Sequence, residues 1–397
     1  MHMNTIYRKS YIEQLMKYKD LDLIKVLTGT RRCGKSTVLL QFIEELKKDA
    51  VKDNQIIYYN FEKIQKDEIR DYKVLNEKIL QKKMQGKKLY VLLDEVQEVK
   101  DFERVINSLY LDKEIDIYIT GSNAHLLSSE LATLLTGRYV EIKIYPFSFK
   151  EYLEITNKNV DNAFNDYMVY GGMPYVARLN DEEIIIEYLQ TLYNTIILKD
   201  IVARKSINYV GILEDLSKYL CDNIGNFMSA KSIADTLTSK GRKVSSITID
   251  NYITFLIEGL LFYECKRRDI KGKQNLETLS KIYLADQGFR TFLMNGQSDY
   301  GRILENIVYI ELLRRKYNIK IGKINDMEID FVCEKNGNIQ YIQVATSVLD
   351  EMTFERELRP LKLVRDNYKK IIITLDTLPI KKDGIEVVNA KDFLLSE

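Results

Sequence analysis

A chain of 397 residues with 59 basic and 58 acidic side chains is long enough for about two or three domains and has no global field that commits it to nucleic acid or membrane. No run approaches the roughly 20 apolar residues needed to cross a bilayer, so no membrane partner is expected. Four cysteines without a CxxC pair, and two histidines, read as reduced cytosolic thiols and argue against a Cys/His zinc site; residues 1–9 lack the apolar core of a signal peptide, so a cytoplasmic location is expected.

The first predicted strand, Ile24 to Thr28, is a short β-branched and apolar run. It feeds Gly29-Thr30-Arg31-Arg32-Cys33-Gly34-Lys35-Ser36, then Thr37 and a helical pattern from Val38 to Leu46. This is the form of a Walker A loop. A strand, a Gly-rich turn and a helix N-terminus aim several backbone N–H groups and the helix dipole at one spot, which suits a phosphate chain. Residues 29–37 are therefore the candidate nucleotide-binding residues. Lys35 is expected to reach the β- and γ-phosphates of ATP, and the Ser36 hydroxyl to ligate Mg²⁺.

Further strands are expected over Gln55 to Asn60, Lys88 to Asp94, Ile115 to Thr120 and Tyr139 to Ile144, with helices between them. That alternation predicts a parallel sheet. The third strand ends in Asp94-Glu95, the Walker B form: Asp94 would hold Mg²⁺, and Glu95 would polarise the attacking water, because hydrolysis needs an aligned nucleophile. The fourth ends in Thr120-Gly-Ser122-Asn123. Ligand groups sit at carboxyl ends of strands in such sheets, so Asn123 or Thr120 can reach the γ-phosphate or the water; the bland alternative is a turn capping the next helix. Arg138 opens the last strand, where its guanidinium either binds transition-state charge or pairs with Glu141. Glu95, Asn123 and Arg138 are the catalytic candidates.

The loop, Leu92-Leu-Asp-Glu95, Thr120-Gly-Ser-Asn123, Leu135-Thr-Gly-Arg-Tyr139, Tyr145-Pro-Phe-Ser-Phe-Lys-Glu-Tyr152 and Tyr170-Gly-Gly-Met-Pro-Tyr175 resemble a prokaryotic family of AAA-superfamily ATPases over almost the whole chain. Its P-loop core is of the archaeal type, similar to signalling (STAND) ATPases, and it carries a C-terminal domain of unknown function. The resemblance implies Lys35 and Ser36 for nucleotide and Mg²⁺, Asp94 and Glu95 for Mg²⁺ and water, Asn123 as sensor, and Arg138 as sensor or finger, acting in cis or from a neighbour.

The expected organisation is an α/β P-loop NTPase core over 1–155, a helical lid over 156–205, a winged-helix domain over 206–286 and a restriction-endonuclease-like α/β domain over 287–397. In the lid, Arg178 or Arg204 are candidates for serving the nucleotide. The winged-helix reading rests on helices at Gly211 to Asn223, Ser229 to Lys240 and Ser246 to Gly259, followed by a hairpin. Lys240, Arg242, Lys243, Lys266, Arg267, Arg268, Lys271 and Lys273 would neutralise double-stranded DNA phosphates, or form the solvated rim of a lid or protein-docking module. In the last domain, Glu305, Asp330 and Gln343 match acidic and amide positions of the nuclease-like pattern, but Ala345 falls where its Lys belongs. Without that ammonium the pattern lacks the group that positions the nucleophile or stabilises phosphorane charge, so a degenerate scaffold is expected.

Three functions follow as expectations: an ATP-hydrolysing switch acting on DNA or on an unidentified protein partner, an ATP-gated nuclease, and a non-catalytic nucleotide-binding DNA regulator. The first is favoured, because Lys35, Asp94 and Glu95 are all intact. A GTPase is disfavoured: Asn157-Lys-Asn-Val-Asp161 has one residue more than the guanine motif. No residue reads out the oligomeric state.

Overall fold

Continuous apolar runs such as Leu89-Tyr-Val-Leu-Leu are what strands covered on both faces require, and the chain uses them that way. The computed structural model describes residues 5–63, 67–121, 137–205, 207, 209–272, 274–294, 296, 299–377 and 381–396. These form two compact units, Met1–Tyr145 and Pro146–Glu397.

In the first unit, β1 (Ile24–Thr28), β2 (Ile56–Asn60), β3 (Leu89–Asp94), β4 (Ile115–Gly121) and β5 (Tyr139–Lys143) pair in parallel, in the order β2-β3-β4-β1-β5. β4 therefore separates the two Walker strands. Alternate residues face opposite layers, as the strand period demands. Ile24, Val26, Val91, Leu93, Ile117 and Ile119 pack with α3 (Tyr72–Leu80) and α4 (Phe102–Tyr110). Leu27, Tyr90, Leu92, Tyr118 and Ile142 pack with α1 (Lys9–Tyr18) and α2 (Lys35–Lys48).

One pair in that second layer is ionic. Lys25 Nζ lies 2.5 Å from Asp116 Oδ1, with the two side chains 0% and 2% exposed. Asp116 also accepts from the Tyr118 hydroxyl and the Asp20 N–H, both at 2.9 Å.

The second unit opens with α5 (Phe149–Thr156) and α6 (Val160–Tyr170). Ser148 and Glu151 close a reciprocal capping box on α5. α7 (Glu182–Thr195) runs on into a π-helical stretch, Ile196–Val202. α8 (Val210–Asp222), β6 (Phe227–Met228), α9 (Ala230–Ser239), α10 (Ser246–Glu258) and the antiparallel β7 (Phe262–Asp269) and β8 (Gln274–Leu284) come next. Leu213, Leu216, Ile233, Leu237, Ile249 and Leu256 of the three helices share a core with Phe262 and Leu284 of the hairpin.

After α11 (Gly288–Leu293) and α12 (Tyr300–Arg314), β9 (Asn318–Ile324), β10 (Met327–Lys335) and β11 (Asn338–Ala345) form a meander. α13 (Glu351–Leu363), β12 (Lys369–Thr374), β13 (Lys381–Lys382), β14 (Ile385–Asn389) and α14 (Ala390–Leu395) complete the chain. Among the described residues the strands of this unit make one sheet, ordered β13-β14-β12-β11-β10-β9-β7-β8-β6. β7 joins β9 in parallel, so one sheet holds strands from both sides of residue 286. The physical reason is that the hairpin's edge carries unpaired backbone groups, which the later strands satisfy.

A candidate nucleotide site at the ends of the parallel strands

Thr28 ends β1, and Gly29 starts the turn. A Cβ at Gly29 would sit 2.2 Å from the Ile144 carbonyl oxygen and 2.7 Å from Cys33 Sγ, so only glycine fits there. Gly34, at φ +107, caps α2. Arg32 takes a left-handed φ of +66 and is exposed, whereas Cys33 is fully buried; burial pushes its thiol up, which argues against easy oxidation. From behind, the buried Arg8 donates to the carbonyls of Cys33 at 3.2 Å and Tyr145 at 3.1 Å and stacks on Tyr11.

Lys35 is 3% exposed. Its ammonium donates to the Gly29 carbonyl at 3.0 Å and the Thr30 carbonyl at 3.4 Å and lies 3.5 Å from Glu95 Oε1. The two Walker motifs thus meet directly. Ser36 and Thr37 follow in the first turn of α2, half-buried. Arg31 turns to Glu62, 2.8 Å away.

Asp94 is wholly buried, and each of its oxygens is engaged. Oδ1 accepts from the Thr120 hydroxyl at 2.6 Å, while Oδ2 accepts from Asn60 Nδ2 at 2.6 Å and the Tyr58 hydroxyl at 2.9 Å. Burial and the facing Asp94 raise the Tyr58 phenol. Thr120 also accepts the Glu95 N–H at 2.9 Å, so one hydroxyl spans both Walker B carboxylate residues. Glu95 is 9% exposed and sits at φ +55, ψ +51, a left-handed conformation that costs a non-glycine residue on the order of 1–3 kcal/mol. Gln97 donates to its other oxygen.

The predicted residues of the loop, Asp94, Glu95 and Thr120 converge. Asn123 lies outside the described residues. Arg138 is not brought to the loop. Its backbone carbonyl pairs with Ile24 at the amino end of β1, and its guanidinium stacks 5.2 Å over Tyr110. The P-loop leaves the carboxyl end of β1, where Thr28 faces Lys143. A strand of this length separates the two ends by about 15 Å, which removes the reading of Arg138 as a finger on its own loop. Its alternative partner, Glu141, instead accepts from Thr28 at 2.6 Å. Sequence reasoning missed Tyr58, Asn60, Glu62 and Arg8. The one available signal was the i, i+2 spacing of Tyr58 and Asn60 at the end of a strand.

The oxygen donors present, a Ser36 hydroxyl at a helix N-terminus and the preorganised Asp94 carboxylate, suit a hard divalent cation such as Mg²⁺. Among the described residues the buried Thr30 Oγ1 has no hydrogen-bond partner, as a loop built around a polar ligand would leave it.

The other predicted positions also meet defined partners. Glu305, Glu328 and Asp330 surround Lys281 Nζ at 3.0, 2.5 and 3.9 Å. Tyr283 donates to Glu305 at 2.7 Å. Gln343 accepts the Asp330 N–H at 2.7 Å and donates to Glu357 at 2.8 Å. Burial, then Glu305, holds the Asp330 carboxyl well above the usual range. An ammonium therefore stands among the acidic positions, supplied by β8 rather than by position 345. α10, the expected recognition helix, contains no Lys or Arg. Arg242 pairs with Asp215, Arg268 with Glu334, Arg267 stacks on Phe227, and Lys271 donates to Asn325.

Sheet order, glycine loop and paired carboxylates define the class: a P-loop protein of the AAA type. Residues 22–153 match the family profile described as AAA domain, and residues 161–300 that of a domain of unknown function, DUF8612. An uncharacterized protein of Haemophilus influenzae is 41% identical over 98% of both chains. A second, from Methanocaldococcus jannaschii, is 31% identical over 93% of this chain and 85% of its own. The chain belongs to this family of AAA-superfamily ATPases with a C-terminal domain of unknown function. Among solved structures it is similar to a Walker-type ATPase of Pyrococcus abyssi, at 16% identity, 73% of this chain, 96% of that one and a TM-score of 0.48.

Proposed function

We propose that the chain hydrolyses Mg-ATP and uses the bound-nucleotide state as a switch toward a macromolecular partner. The observation that carries this reading is the convergence of Lys35, Asp94 and Glu95, with Lys35 Nζ 3.5 Å from Glu95 and Asp94 held by three donors. Bound through Ser36 and Asp94, Mg²⁺ would neutralise developing phosphate charge. Lys35 would exchange its loop carbonyls for phosphate oxygens. Released from Lys35, the Glu95 carboxylate would orient a water for attack. Asn123 remains the proposed sensor.

A protein partner is favoured over DNA, because α10 offers no cation, and Arg242 before it and Arg268 of the hairpin are already paired. The Lys281 cluster is read as a structural ion group, since the ammonium lies between the carboxylates that a nuclease would use for metal. The test is ATP turnover of the wild type and Glu95→Gln, with and without double-stranded DNA. Turnover lost in the variant and unmoved by DNA is expected. Stimulation by DNA would overturn the partner assignment, and tight ATP binding without wild-type turnover would overturn hydrolysis.

A further inference from the structure

β2 is the edge strand beside Walker B, and nothing in the Walker pattern requires it to carry chemistry. Yet its last residues reach both motifs. Asn60 Nδ2 and the Tyr58 hydroxyl converge on Asp94 Oδ2 at 2.6 and 2.9 Å, and are themselves 3.4 Å apart. The Phe61 N–H bonds the Asp94 carbonyl at 3.0 Å. Glu62 holds Arg31 of the loop. The Asn60 amide is in turn oriented, because its Oδ1 accepts the Lys63 N–H at 3.1 Å.

We infer that Tyr58 and Asn60 are positioning residues for the metal-binding carboxylate, and that they set the protein's affinity for the divalent cation rather than for the nucleotide. The inference rests on the ATPase reading above. The argument is geometric. A carboxylate with one oxygen tied by Thr120 and the other by two donors has a single orientation. Without the β2 donors Asp94 keeps only the Thr120 bond, is less fixed about χ2, which is broad for this side chain, and must be ordered further each time the cation binds. Partners behind a metal-ligating carboxylate, when removed, typically cost about 10–100-fold in metal affinity. The proposed nucleotide contacts come from the Gly29–Thr37 loop, and the hydrogen bonds of these two side chains among the described residues go to Asp94, to each other and to Lys63 instead, so binding without cation should not change.

The experiment uses the full chain, with a fluorescent ATP analogue titrated in EDTA and then across Mg²⁺ concentrations, and Mn²⁺ binding followed directly by its electron paramagnetic resonance signal. Asn60→Leu keeps the volume and removes the donor; Tyr58→Phe removes one hydroxyl only. The half-saturating Mg²⁺ concentration and the Mn²⁺ Kd are expected to rise about 10–100-fold in Asn60→Leu and less in Tyr58→Phe. Analogue affinity in EDTA should stay within about 2-fold. A metal dependence identical to wild type in both variants overturns the inference. So does an equal loss of analogue affinity with and without metal, which would mark a merely structural role. If Asn60→Leu fails to fold, Tyr58→Phe decides alone. A wild type that binds no ATP analogue at all would instead defeat the ATPase reading, and is told apart by that control.

Discussion

Replacing Lys35 by methionine removes one charge from the centre of the loop while keeping most of its packing. The ammonium is nearly sealed from water, 3.0 and 3.4 Å from two loop carbonyls and 3.5 Å from Glu95. It is thus held in place before ligand arrives, and binding ATP swaps these acceptors for phosphate oxygens without first ordering a flexible side chain. A charge-assisted hydrogen bond contributes about 1.5–3 kcal/mol. Two such bonds to phosphate lost together cost about 3–6 kcal/mol, a weakening on the order of 10²–10⁴-fold. Isothermal titration of the full chain with ATP and Mg²⁺ measures this, with a thermal melt as control for folding. An ATP affinity within about 3-fold of wild type, in a variant that melts normally, would refute the assignment of the loop.

Three further outcomes test the placement of charges. Asp116→Asn should lower the unfolding free energy of the first unit by about 3–5 kcal/mol, because it strands the buried Lys25 ammonium, and Lys25→Met added to it should recover most of that; urea unfolding that shows no recovery would contradict the pairing. Burial holds the Asp286 carboxyl up at about 7 from 3.8, although the Gly172 and Gly288 N–H groups bond it at 2.8 and 2.9 Å. The folded chain therefore keeps a proton that the unfolded chain releases, and the stability this contributes is complete below pH 3.8 and lost as pH rises through about 7. The loss is about 4 kcal/mol, and Asp286→Asn should flatten it in denaturation series between pH 4 and 8. Arg138→Ala should leave ADP affinity within about 2-fold, since the guanidinium stacks on Tyr110 at the amino end of the sheet; a tenfold loss by titration would contradict that position.

The P-loop core is legible in the sequence because its signals are local. A buried parallel strand must be apolar throughout, and a phosphate loop must have glycines where the backbone closes on itself, as Gly29 does against Ile144. Walker B is likewise written in consecutive residues. Sequence order also supplied the strand and helix alternation, and hence the α/β class.

What the tertiary structure decided are relations between residues far apart in the chain. Arg138 and Lys35 flank neighbouring strands of the sheet, but parallel pairing of β5 with β1 puts the start of one strand beside the start of the other, so Arg138 lies at the end away from the loop. Tyr58 and Asn60 gained a role only when β2 took its place beside β3. Lys281 came to stand among Glu305, Glu328 and Asp330 because β7 paired with β9, giving a position no spacing rule connects to Ala345. Local sequence fixes backbone preference and burial within a segment, whereas which side chains meet depends on strand order and register, set by the summed packing and hydrogen bonding of the whole sheet.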